Sequence, residues 1–120
     1  MTALEAPFQL PEQPLAVDIV AKYFRGLGDP TRLRILEILA NGECSVGELV
    51  GRLAMSQPKV SNHLGCLRWC GFVASRRDHR TIYYRIADPR VTRIVELARG
   101  LLESNAEHVA VCHDIDGEAQ

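Results

Sequence analysis

The stretch CLRWC sets Cys66 and Cys70 four residues apart. On a helix that spacing puts both side chains on one side, about 40° apart in rotation, with Cβ atoms about 6 Å apart. Two thiolates so placed can hold one soft ion at metal–sulfur distances of about 2.3–2.6 Å. The same spacing also serves plain packing, because a free cysteine behaves as a small hydrophobe. A disulfide between the two is strained, since both Cβ vectors point the same way. Two ligands do not close a site, and the tail segment VCHD offers Cys112 and His113. Cys112 stands in a polar, acidic segment where a hydrophobe has little to pack against. Cys44, in NGECSV, reads as a buried residue.

A second chemistry lies just upstream. In SQPKVSNHLGCLRWC, Val60, Leu64 and Leu67 fall within about 40° of one another at 100° per residue and form a buried stripe. Gln57, Lys59, Ser61, Asn62 and His63 are left to face outward near the helix start. Gln and Asn pair with adenine edges, Ser contacts base or phosphate, and Lys neutralises phosphate. A helix N-terminus also favours an anion. A merely well-capped polar helix start would look similar. From Arg68 to Arg85, however, the chain carries five arginines and one acid, Asp78. Of these, Arg76, Arg77 and Arg80, with His79, are the natural groove or backbone contacts. Together the two segments predict a partner of double-stranded DNA.

These residues need elements to hold them. Residues 1–14 contain Pro7, Pro11 and Pro14 without periodicity and read as a disordered arm. Leu15, Ile19, Tyr23 and Leu27 then repeat at spacing four, predicting a first helix. Asp29-Pro30 opens a second, with Leu33, Leu36 and Leu39 inward, and Asn41-Gly42 closes it. Ser45-x-x-Glu48 is a capping box for a short third helix. A tight turn at Ala54-Met55 leads to the fourth, which Ser56 caps and Gly71 ends. Beyond Gly71 the period changes from 3.6 to 2. FVAS and TIYYRI read as strands, with RRDHR as a charged hairpin loop. Asp88-Pro89 opens a last helix with the stripe Val91, Ile94, Val95, Ala98, Leu101 and Leu102. The predicted fold is therefore mainly α with a two-stranded β-wing, a winged helix-turn-helix. Its domain spans residues 15–104, and an acidic tail follows over 105–120. The last stripe is too long for one small core to cover, which predicts a homodimer.

Bulk properties narrow the class. No apolar run nears the roughly 18 residues of a membrane span, and the start lacks the pattern of a signal peptide. The expected setting is cytoplasmic, where thiols stay reduced and serve metals, redox sensing or packing rather than a disulfide framework. An enzyme is not expected: Cys-x-x-x-Cys is not Cys-x-x-Cys, and no His/Asp constellation or Gly-rich phosphate loop accompanies it. No small organic substrate is expected either. A thiol redox sensor on the same fold, or an architectural DNA binder with inert cysteines, are the rival readings.

LGDPTRLRILEIL, SQPKVSNHLGCLRWCGFV and YYRIAD resemble the ArsR/SmtB family of winged-helix metal-sensing repressors, over about residues 16–104. The resemblance implies a cytosolic homodimer on a palindromic operator. Its first and last helices form the interface, and metal binding releases the DNA. One class in the family ligates metal with Cys-x-Cys at the third helix, where this chain has Ser45-Val46-Gly47. Another uses Asp and His along the last helix, where this chain has Asp88, Arg90, Leu101 and Ser104. The pair Cys66 and Cys70 with a tail cysteine instead resembles the CmtR-type cadmium/lead sensors. That resemblance implies the ligand set Cys66, Cys70 and Cys112. Three thiolates suit soft ions: Cd(II) or Pb(II) first, with Hg(II) and As(III) in the same class.

Overall fold

A computed structural model describes residues 13–112 of the chain. The elements run α1 (Gln13–Leu27), α2 (Pro30–Ala40), β1 (Cys44–Ser45), α3 (Val46–Leu53), α4 (Gln57–Trp69), β2 (Val73–Asp78), β3 (Thr81–Ile86), α5 (Pro89–Leu102) and α6 (Ala106–Ala110). The chain divides after Ala87 into two compact units. Among the described residues no helix is long and apolar enough to cross a membrane. Of the arm expected over residues 1–14, residues 1–12 lie outside the described residues, whereas Gln13 and Pro14 belong to α1; the tail beyond Cys112 also lies outside them.

The first unit is a winged helix-turn-helix. Its core joins Ile35, Leu36 and Leu39 of α2, Leu49 and Leu53 of α3, Val60, Leu64 and Leu67 of α4, and Phe72 and Val73. The Tyr23 ring of α1 packs on Phe72 at a centroid distance of 4.5 Å. Local signals set each helix start. Asp29 accepts from the Arg32 amide, and Ser45 and Glu48 form the full capping box. Ser56 accepts from the Lys59 amide with Pro58 in the first turn of α4. Between α3 and α4, Ala54 takes the left-handed conformation at φ 55° to make the tight turn.

The sheet differs from the expected two-stranded wing. It has three antiparallel strands in the order β1-β3-β2, with Cys44 opposite Tyr84 and Ser45 opposite Tyr83. A two-residue strand is too short to show a period of 2, and its partners lie far along the chain. RRDHR is also not all loop. β2 runs through Arg76 and Arg77 to Asp78, leaving His79 and Arg80 as the two-residue turn. The end of that ribbon is exposed on both faces, so its residues show no apolar alternation. The turn needs a left-handed residue, and His79 supplies it at φ 59°.

The end of α4 matters most for the thiols. Cys70 is the C-cap, and Gly71 follows at φ 84°. The Gly71 amide donates to the Arg68 carbonyl and the Phe72 amide to the Leu67 carbonyl. This double return is a Schellman motif, with buried Leu67 and Phe72 as its apolar partners. No atom lies within 4 Å of a Cβ added at Gly71 or at mid-helix Gly65. Their substitutions therefore differ only in backbone conformation. Gly71→Ala is expected to destabilise the fold by about 1–2 kcal/mol. Gly65→Ala is expected to stabilise it by up to about 1 kcal/mol. Urea unfolding of the two variants checks the opposite signs.

The second unit holds α5, capped by Asp88, and the short α6. The Arg90 side chain and amide both donate to the Asp88 carboxylate, holding its pKa down at about 2. Val91 is buried, whereas Leu97 and Leu101 are 68% and 75% exposed.

Candidate DNA-reading helix and thiol site

The two ends of α4 carry different chemistry. Val60, Leu64 and Leu67 bury one side of it completely. At the N-terminal end, Gln57, Lys59, Ser61 and Asn62 are exposed and His63 is half-buried. Gln57 shares an open groove of about 430 Å³ with Ser45, Arg80 and Thr81. The fold thus sets the start of α4 beside the wing turn, two places far apart in sequence.

The arginines of the wing are not equivalent. Arg77 and Arg80 are exposed and make no hydrogen bond or ion pair among the described residues. Arg76 is engaged. Its Nε and Nη2 donate to Glu43 Oε2 and Oε1 at 2.8 and 2.7 Å, and its guanidinium lies 4.6 Å from the centre of the Tyr83 ring. The Arg76 bond holds the Glu43 carboxyl below its ordinary range, and the carboxylate in turn raises Arg76. No local signal in the sequence marks this pairing, whose partners stand 33 residues apart. Arg68 reaches back from α4, donating through Nη1 to Ser75 Oγ at 3.4 Å.

At the C-terminal end, Cys66 and Cys70 are half-buried free thiols. Burial pushes the Cys70 thiol up, and the adjacent Cys66 thiol pushes it further; Arg32 and Lys22 pull the other way. A Cβ added at Gly26 would lie 3.8 Å from Cys70 Sγ, so α1 runs beside that thiol. The carbonyl end of a helix carries partial negative charge, which favours a cation beside the two sulfurs. Trp69, the chain's one tryptophan, stands just before Cys70 and is 87% exposed. The pair fits a soft cation as two of its ligands. Among the described residues, no group of three or more His, Cys, Asp or Glu stands ready to hold a metal. Cys112, the last described residue, is half-buried after α6, and His113 lies outside the described residues. Cys44 is buried, with Arg52 Nη1 3.6 Å from its sulfur.

The geometry meets an independent finding. Residues 29–75, from the cap of α2 to the start of the wing, match the model of the bacterial regulatory protein, arsR family. A protein of Streptomyces lividans named as a probable mercury resistance operon repressor is 45% identical over 103 residues, 86% of this chain and 82% of its own length. The chain belongs to the ArsR family. Its members are transcriptional regulators rather than enzymes. The regulator CmtR of Mycobacterium tuberculosis is 39% identical over 93 residues, 77% of this chain and 79% of its own. The fold recurs in a homodimeric winged helix-turn-helix DNA-binding domain from Mycobacterium bovis. There the TM-score is 0.72 at 32% identity, covering 83% of this chain and 93% of that one. In this ArsR-family chain, then, α3 and α4 are the helix-turn-helix and β2–β3 the wing.

Proposed function

We propose that the protein is a homodimeric repressor that releases its operator when a soft thiophilic ion binds Cys66 and Cys70 together with the tail thiol Cys112. Cd(II) and Pb(II) are the favoured ions, with Hg(II) and As(III) in the same chemical class. The observation that supports the reading is that both candidate residue sets lie on one helix. The thiol pair closes the C-terminal end of α4, and Gln57, Lys59, Ser61 and Asn62 occupy its start. About 20 Å of continuous helix separates the two ends. An ion that draws Cys66 and Cys70 toward a third thiolate pulls on the end of α4 and re-aims its start. A coupling of about 1–3 kcal/mol suffices for regulation. The name of the Streptomyces relative, a probable mercury resistance operon repressor, supports a thiophilic ion. The rival is a thiol redox sensor on the same fold, which needs a readily formed thiolate.

Fluorescence anisotropy of operator DNA, with Cd(II), Pb(II), Hg(II), As(III) and Zn(II) added in turn, tests the reading. Release is expected at micromolar soft ion and not with Zn(II). Release by peroxide, with none by any soft ion, would replace the reading by the redox one. On the DNA side, Lys59→Ala is expected to weaken binding to all sequences and lower the slope of log affinity against log salt by about 1. Asn62→Ala is expected to cost about 1–3 kcal/mol of discrimination between operator and random DNA at an unchanged slope. Salt titrations of both variants on both DNAs check this.

A further inference from the structure

We propose that Glu43, Arg76 and Tyr83 form a clasp that ties the wing across all three strands of the sheet, so that Arg76 serves DNA binding by positioning the wing rather than by touching phosphate. The inference rests on the DNA-binding reading above. Arg76 lies on β2 directly opposite Tyr83 of β3, and Tyr83 is opposite Ser45 of β1. Glu43 immediately precedes β1. The Arg76 side chain therefore runs over the ring of the central strand and is gripped at the far edge by a two-pronged ion pair. Adjacent strands lie about 4.8 Å apart, so a reach across two of them calls for a long side chain.

Two physical points favour a tie over a phosphate contact. A guanidinium with two donors on one carboxylate and its face on an aromatic ring has its charge compensated in place; a phosphate could reach only the remaining Nη1, beside a carboxylate that repels it. The wing also needs fastening. A two-stranded ribbon is marginal by itself, and β1 pairs with it over only two residues. Arg77 and Arg80, with the turn between β2 and β3, lie beyond the clasp, where a small change of wing angle is amplified. The fork geometry is what Arg supplies and Lys does not.

Charge-conserving variants separate the two roles. Arg76→Lys and Glu43→Asp keep every charge and break the fork. Each is expected to weaken operator binding about three- to fivefold, the range of a well-formed exposed pair, with the salt slope unchanged. The double variant is expected to be no more than twofold worse than either single one. In the DNA-free protein, amide hydrogen exchange over β2 and β3 is expected to speed up by a similar factor in all three. This second readout stands whether or not the operator reading holds. The clasp is overturned if Arg76→Lys binds within twofold of the parent while Arg76→Gln lowers the salt slope by about 1, the signature of a phosphate contact. It is equally overturned if exchange of the wing amides is unchanged in Arg76→Lys and Glu43→Asp. Loss of operator binding by the parent protein would instead sink the DNA-binding reading, and the exchange data would still decide the clasp.

Discussion

Cys66→Ser and Cys70→Ser are each expected to weaken cadmium binding by more than about a hundredfold and to abolish metal-induced release from the operator. Loss of a partner that merely orients a ligand already costs about 10- to 100-fold, and here a ligand itself is lost. One helix thiol plus the tail cannot surround the ion. Cys112→Ser is expected to weaken binding less, since water or a nearby tail carboxylate can fill one position. Cys44→Ser is expected to leave binding intact, because that buried sulfur lies just ahead of α3 beside Arg52 of its last turn, and among the described residues it joins no metal-holding group with the thiol pair. Competition against a chelator of known affinity, with the near-ultraviolet sulfur-to-metal band as the signal, measures all four. The affinity is also expected to rise with pH. A thiolate must form before it can ligate, and burial together with Cys66 keeps the Cys70 proton on to higher pH than in a free thiol. Protons therefore compete with the metal through the neutral range, and acidification weakens the site.

The second large effect concerns assembly. Within the first unit, Val17, Val20 and Phe24 form one stripe of α1 at spacings of three and four, each more than half exposed. Within the second, Leu97 and Leu101 do the same on α5. Such faces on a small regulator call for a partner, and we infer that a second copy covers both. Leu101→Glu is expected to remove the burial of one leucine and strand a charge at each of two symmetric positions. At about 2 kcal/mol or more per position, the dimer weakens by at least about a thousandfold. Operator affinity falls with it, since two half-sites then bind independently. Because Leu101 is exposed in the single chain, the protomer is expected to keep its far-ultraviolet circular dichroism. Sedimentation at micromolar protein decides the case: a persistent dimer with full operator affinity would place the interface elsewhere.

How much of this was readable in the chain varies with the range of the interaction. The α4 stripe of Val60, Leu64 and Leu67, the Ser45–Glu48 capping box and the Asp29 and Asp88 caps are local signals, and all form as their spacing predicts. Gly71 as the end of α4 is equally local. The Cys66–Cys70 spacing gave the shared side, because a helix turn fixes it. What the spacing could not give is the surroundings: Gly26, Arg32 and Lys22 come from other helices. β1 was hidden because two residues carry no period, and the length of β2 because its charged end is wet on both faces. Arg76 looked like its neighbours Arg77 and Arg80. Only the fold brings Glu43 across the sheet to it. Helix-turn-helix identity thus follows from short-range pattern, whereas the division of labour among the arginines is a tertiary fact.

The central claim is that metal at one end of α4 controls DNA at the other. One titration addresses it: Cd(II) added to the operator-bound protein, with the sulfur-to-metal band and the anisotropy of the DNA followed in the same cuvette. The account predicts that both signals move together and saturate at one ion per protomer, and that Cys66→Ser moves neither. A full-strength band with the DNA still bound, or release of the DNA from Cys66→Ser, would contradict it.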